Sequence, residues 1–227
     1  MPTPIIDAII VAGGAGSRLG FSTPKAFVNI DGKPMIQFSL ECFSAHPAIG
    51  AIVLVVPADM IGMAEKIAGG QRFKKPVRLV AGGKDRWLSV KNGVMASEAQ
   101  RVLIHDAARP FVTQAVIDAV LEQSRMYSAV ITATREVDTI RRFSGDRAME
   151  TIDRDTLIRV GTPQLFDRMV LVNAFSAAQT MKTPPTDEAM LMEQLGIPVG
   201  IAWGDPLNFK ITTKSDLLLA EALCRRG

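Results

Sequence analysis

The chain of 227 residues carries 26 Lys and Arg against 23 Asp and Glu, a formal charge of +3. So small a basic excess gives no charge argument for a nucleic-acid partner, which shows as a strong basic face. Hydrophobic residues make up 48% and charged ones 22%, which suits a chain with a buried core and excludes disorder as its main state. Cys42 and Cys224 form no CxxC pair, which excludes a zinc ribbon or a thioredoxin-like motif; they read as reduced thiols. The opening MPTPIIDAIIVAGG has no basic n-region and no small-residue cleavage site, so no secretory signal is expected. The apolar runs fall short of the roughly 18 residues that span a bilayer. A cytoplasmic protein with no membrane partner is the expectation.

Short apolar β-branched runs alternate with helical patterns, the signature of parallel βαβ units. Strands are predicted over 8–12, 51–56, 77–81, 101–105 and 128–134, and helices over 34–44, 58–68, 86–98 and 113–126. Pro34 suits a first helical turn, and Thr113 suits an N-cap. From 135 to 159 polar and apolar residues alternate around Ser144-Gly145-Asp146, which predicts a β-hairpin arm. Such an arm is marginal alone and must pack on something. Helices follow over 167–179 and 187–194, a loop over 180–185, strands over 199–203 and 209–211, and a last helix from about Ser215. No linker divides the chain, so residues 1–227 read as one α/β domain with a mostly parallel, Rossmann-like sheet flanked by helices and a protruding arm at 135–159.

Four constellations carry candidate chemistry. The first is the loop after the opening strand, Ala12, Gly13, Gly14 and Gly16 with Arg18 and Lys25. Glycines there let backbone N–H groups approach phosphate oxygens. It is not the dinucleotide fingerprint, because Leu19 stands where the third glycine belongs, and no G-K-[ST] follows for a Walker A loop. Arg18 and Lys25 place two cations near one triphosphate. The second is HDAARP, with Asp106 at the carboxyl end of a strand, where α/β sheets bind ligands. A carboxylate there suits Mg²⁺, which binds through one or two carboxylates plus substrate phosphates; alternatively Asp106 caps a turn and pairs with Arg109. The third is GGKDRWLSV, in which Gly82 and Gly83 allow close approach and Ser89 offers a hydroxyl to a base or sugar. The fourth is NFKIT, whose Lys210 either points into the site or guards a sheet edge. The Thr186-Asp187-Glu188 run reads as a helix start, with Thr186 as cap.

The series AGGAGSRLG, PKAF, GGKDRWLSV, HDAARPFV, DTI, GTPQLF, TDEA and NFKIT, in this order, covers nearly the whole chain. It resembles the bacterial 2-C-methyl-D-erythritol 4-phosphate cytidylyltransferases. The resemblance implies a Mg²⁺-dependent nucleotidyltransferase that moves CMP from CTP to a sugar or polyol phosphate, and a homodimer joined through the arm. It assigns transition-state stabilisation to Arg18 and Lys25. It places the nucleotide on Ala12, Gly13, Gly14, Gly16, Gly82, Gly83, Asp85, Ser89, Ala107 and Lys210. It places the acceptor on Asp106, Arg109, Asp138, Thr139, Thr162, Thr186 and Lys210, with Arg154 reaching across the dimer. Asp106 is the implied metal ligand. Three residues depart from the family pattern: Ala26 and Gly161 where Gln is usual, and Leu207 where a polar residue is frequent. The related ribitol-5-phosphate cytidylyltransferases share many of these motifs but tend to differ at the position of Ala108, which favours the erythritol reading. A nucleotidyltransferase for another nucleotide and a non-catalytic nucleotide-sensing dimer are the other readings.

Overall fold

The computed structural model describes residues 6–14, 24–70, 73–178, 181 and 183–225. The chain opens with β1 (Ile6–Val11), buried at every position. A small hairpin of β2 (Asn29–Ile30) and β3 (Lys33–Pro34) follows. Asp31 and Gly32 turn it with φ of 50° and 79°, as a two-residue hairpin turn requires. Then come α1 (Met35–Ala45), β4 (Ile49–Val56), α2 (Ile61–Gly69), β5 (Val77–Ala81), α3 (Arg86–Met95), β6 (Arg101–Asp106), α4 (Gln114–Gln123) and β7 (Ala129–Arg135). The hairpin arm is β8 (Ile140–Ser144) and β9 (Arg147–Ile152), and β10 (Ile158–Asp167) returns from it. The chain ends with α5 (Arg168–Ala178), α6 (Ala189–Gln194), β11 (Val199–Trp203) and α7 (Lys214–Cys224).

Seven strands form one sheet in the order β11-β7-β10-β6-β1-β4-β5. The pairs β1–β4, β1–β6, β4–β5 and β7–β11 are parallel, and β10 lies antiparallel between β6 and β7. Alternate residues of the central strands face opposite layers, as the pleat dictates. Ile10, Leu54 and Leu103 pack with Phe43 and Ile117 on one face. Ile9, Val55 and Ile104 pack with Val90, Val94 and Phe175 on the other. Helix α3 lies hard against the sheet at Gly93: a Cβ there would fall 2.5 Å from Ile9 Cγ2 and 2.7 Å from Val55 Cγ2.

The structure departs from expectation in four places. Residues 158–167 form a central strand although they contain Pro163, which has no N–H for a ladder; the register shifts between Gly161 and Leu165 to accommodate it. Arg159, expected in the arm, therefore pairs with Thr134 in the main sheet. Helix α3 stops at Met95 because the Ser97 hydroxyl donates to the buried Asp7 carboxylate at 2.6 Å and accepts from Ala99 N–H. Residues 209–211 form no strand and belong to no sheet; the segment is tied instead by Ile211 N–H donating to the Ala108 carbonyl. At α6 the N-cap position is Glu188, which makes no side-chain cap bond; Asp187, and not Thr186, supplies the oxygen at the helix start by accepting from Met190 N–H.

Candidate active site

The site forms where β1, β4, β5 and β6 end. Each chain leaves its strand still tied to a neighbour: Ala12 N–H donates to Val55, Gly82 N–H to Val56 and Ala107 N–H to Val11. These bonds align the three loops at the carboxyl edge of the sheet, the usual ligand position in such folds. Between them lies a cavity of about 280 Å³ lined by Ala12, Gly13, Gly14, Lys25, residues 83–86, Ser89, Asp106, Ala108 and Lys210, among others. A second cavity of about 280 Å³ opens beside it, lined by Arg109, Thr132, Arg159, Gly161, Asn208 and Lys210, among others. Lys210 stands on the boundary of both.

Four charged side chains meet under the first cavity. Arg86, in the first turn of α3, donates through Nε to Asp106 Oδ1 at 3.0 Å and through Nη1 to both oxygens of Glu188 at 2.9 and 3.0 Å. Lys210 Nζ donates to Asp106 Oδ2 at 2.7 Å. Burial alone would raise the Asp106 carboxyl, but the Arg86 charge and then Lys210 reverse this and hold it well below the usual carboxylate range. Glu188 is fully buried, and burial pushes its carboxyl up, with Arg86 acting against that. A buried acid of this kind is tolerable only when paired.

The glycine-serine pair has a definite local task. Ser89 Oγ accepts from Gly83 N–H at 3.0 Å and donates to the Asp85 carbonyl at 3.1 Å. It thereby folds residues 83–85 onto the start of α3, at the cavity wall. A Cβ on Gly83 would sit 2.4 Å from Leu88 Cβ, so this loop shape needs glycine there.

His105 is fully buried beneath the turn that follows β6. Burial lowers its imidazole to about 4, so it is neutral at pH 7. Arg109 does not pair with Asp106 through its side chain. Its guanidinium donates to the Asn208 carbonyl at 3.1 Å and the Val160 carbonyl at 3.3 Å, because Arg86 and Lys210 already hold both Asp106 oxygens.

Of the residues singled out in the sequence, Ala12, Gly13, Gly14, Lys25, Gly83, Asp85, Ser89, Asp106 and Lys210 line the first cavity, and Arg109 and Lys210 line the second. Gly82, Ala107 and Thr162 line neither cavity; the Gly82 and Ala107 N–H groups donate to strand carbonyls, and Thr162 is buried. Asp138, Thr139 and Arg154 are exposed on and beside the arm, and Thr186 is exposed before α6. Gly16 and Arg18 lie outside the described residues. Sequence reasoning missed Arg86, Glu188 and Arg159. Glu188 had a legible signal: helical spacing puts it on the stripe of Leu191 and Met192, both fully buried.

The donor set bears on a metal. Among the described residues no group of three His, Cys, Asp or Glu side chains is placed to hold an ion, so a closed protein cage is not present. The two carboxylate residues on the cavity wall, Asp106 and Asp85, do suit an ion that takes most of its ligands from substrate phosphates and water.

A family model described as IspD, 2-C-methyl-D-erythritol 4-phosphate cytidylyltransferase, matches residues 6–226. The chain belongs to this family. The 2-C-methyl-D-erythritol 4-phosphate cytidylyltransferase of Syntrophus aciditrophicus is 37% identical over 98% of this chain and 97% of its own length. That of Geobacillus thermodenitrificans is 38% identical over 96% of each. Among solved structures, 4-diphosphocytidyl-2C-methyl-D-erythritol synthase from Anaerococcus prevotii superposes with a TM-score of 0.87 at 28% identity, over 99% of this chain and 97% of that one. The family's central sheet and flanking helices are those described above. As a cytidylyltransferase the chain is a nucleotidyltransferase, and among its described residues no helix is long and apolar enough to cross a membrane.

Proposed function

We propose that the chain transfers CMP from CTP to 2-C-methyl-D-erythritol 4-phosphate, with the first cavity holding the nucleotide and the second the acceptor. The observation that carries this reading is the pair of adjoining cavities sharing Lys210, one walled by a glycine-rich loop with Lys25, the other by Arg109 and Arg159. Two phosphate-bearing substrates need two basic pockets meeting at one wall.

The acceptor phosphate is already an anionic nucleophile, so no general base is required. One of its oxygens bonds to the α-phosphorus of CTP while the bond from that phosphorus to the β-bridging oxygen breaks, and pyrophosphate leaves. The protein's share is position and positive charge on the phosphoryl oxygens. Gly13 and Gly14 bring backbone close to the triphosphate, and Lys25, whose N–H donates to the Gly14 carbonyl at 3.3 Å, faces it from the same wall. Arg18 is assigned the same task by the family motif. Lys210 and Arg109 orient the acceptor phosphate. Asp106 is the residue that would hold a divalent cation, which neutralises phosphate charge when bound. Asp138, Thr139 and Thr186 are further acceptor contacts implied by the family motifs.

The arm is the proposed dimer contact. Phe143 is 80% exposed and Met149 45% exposed at its tip and flank, more apolar surface than an isolated two-stranded hairpin sustains. A second copy packed there would bring Arg154 towards its neighbour's acceptor pocket. The deciding experiment is pyrophosphate release with CTP and Mg²⁺, comparing 2-C-methyl-D-erythritol 4-phosphate with D-ribitol 5-phosphate. Turnover with the first alone is expected. Turnover with ribitol phosphate alone would move the acceptor assignment, and CTP binding without release would overturn the catalytic reading.

A further inference from the structure

Beneath the two cavities runs a closed circuit of hydrogen bonds that reaches the first through Asp106 and the second through Arg109 and Asn208. Asp106 N–H donates to Thr162 Oγ1 at 3.1 Å. Thr162 Oγ1 lies 3.0 Å from His105 Nδ1, and His105 Nε2 lies 3.1 Å from the Arg109 carbonyl. Arg109 Nη1 donates to the Asn208 carbonyl at 3.1 Å, and Asn208 Nδ2 donates to the Thr162 carbonyl at 2.8 Å. The turn itself is closed by Arg109 N–H donating to the Asp106 carbonyl at 2.9 Å.

Chemistry fixes the direction of every bond. A carbonyl only accepts, so Nε2 of His105 must carry the ring proton. Nδ1 is then bare and accepts the Thr162 hydroxyl proton. That leaves a lone pair on Thr162 Oγ1 to accept from Asp106 N–H. The hydroxyl proton is committed to the ring, on a side chain that is almost wholly buried. His105 thus grips both ends of the four-residue turn that begins with Asp106 and ends with Arg109: the near end through Thr162, the far end directly. Those two ends carry the carboxylate of the first cavity and the guanidinium of the second.

We propose that His105 and Thr162 are positioning residues that lock this turn, so that the nucleotide and acceptor cavities are held in register through one imidazole tautomer. The proposal rests on the two-cavity reading above, but its first test does not. The chain has two histidines, so a ¹⁵N-histidine spectrum holds two rings, and a His46→Asn variant assigns them. The expected result for His105 is the Nε2–H tautomer, with its Nδ1 resonance unchanged in Thr162→Ser and moved in Thr162→Val. An Nδ1–H tautomer in the unmodified protein would overturn the circuit whatever the enzyme turns over.

Kinetics supply the second test. Thr162→Val releases the Asp106 end and should raise the KM for CTP by about tenfold, the size of one lost hydrogen bond. His105→Asn keeps an acceptor near the Nδ1 position but drops the bond to Arg109, and should raise the KM for the acceptor phosphate instead. Thr162→Ser should restore wild-type values. A purely structural role would lower the melting temperature of both variants and leave both KM values within twofold of wild type, and that outcome would refute the proposal.

Discussion

Replacing Gly93 by alanine tests how tightly helix α3 is seated. Helix α3 carries Arg86 in its first turn and crosses β1 and β4 at Gly93. A new Cβ would lie 2.5 Å from Ile9 Cγ2 and 2.7 Å from Val55 Cγ2, against about 3.5–4.0 Å for relaxed carbon contacts. Both partners sit on central strands and are fully buried, so neither methyl has room to retreat. Overpacking of this sort costs about 1–3 kcal/mol. Alanine returns about 1 kcal/mol through helix propensity, so a net loss of up to about 2 kcal/mol is expected. Urea denaturation measures it. The helix can relieve the clash only by moving off the sheet, which draws Arg86 from Asp106, so CTP affinity should weaken with stability. Truncation of Val55 to alanine removes one clashing methyl. In a double-mutant cycle it should therefore cost less in the Gly93→Ala background than in the wild type. Stability at or above the wild-type value, with strict additivity, would refute the close seating.

Three other outcomes are expected. Lys25→Ala should lower kcat by roughly two orders of magnitude, as removal of other transition-state donors does; near-normal turnover at saturating CTP would remove Lys25 from the chemistry. Acidification should destabilise the fold through His105. Between pH 6.5 and about 4 the unfolded chain takes up a proton that the folded chain refuses. Stability present above pH 6.5 is therefore lost as pH falls, by roughly 3 kcal/mol. Urea midpoints at pH 7 and 4 should converge more in His105→Gln than in wild type, and parallel losses would refute this. Phe143→Asp at the arm should give a monomer in sedimentation with impaired turnover, and an unchanged sedimentation coefficient would place any dimer contact elsewhere.

Much of the fold is legible because it is periodic. The runs IDAIIV, IGAIVLVV and RVLIHD are buried on both faces, and a sheet covered by helices on both sides leaves such runs no other place. Thr113 announces α4 by accepting from Val116 N–H. Strand β10 was hidden because its central role depends on a register shift around Pro163, a tertiary accommodation that no local pattern records. The site divides in the same way. Glycines, Lys25, Asp106 and Lys210 declare themselves through the loops and strand ends that carry them. Arg86 does not, since its role arises from a meeting with Glu188, 102 positions away. Ser89 reads in the sequence as a hydroxyl offered to a ligand, and no local pattern records that it also accepts from Gly83 N–H and donates to the Asp85 carbonyl.

The place of β10 also sets the order in which this molecule can be built. The sheet leaves a gap one strand wide between β6 and β7, although those two follow each other in sequence. The strand that fills it comes after the whole arm. On a growing chain β1, β4, β5 and β6 can pair as they emerge, while β7 must wait with both edges unpaired, one until β10 is complete at residue 167 and the other until β11 follows. Only then does Thr162 reach Asp106. A chain interrupted before β10 therefore holds the loops after β1, β5 and β6 but lacks the bond from Asp106 N–H to Thr162, and the long-range pairing of β10 is the step on which joining β7 and β11 to the rest of the sheet waits.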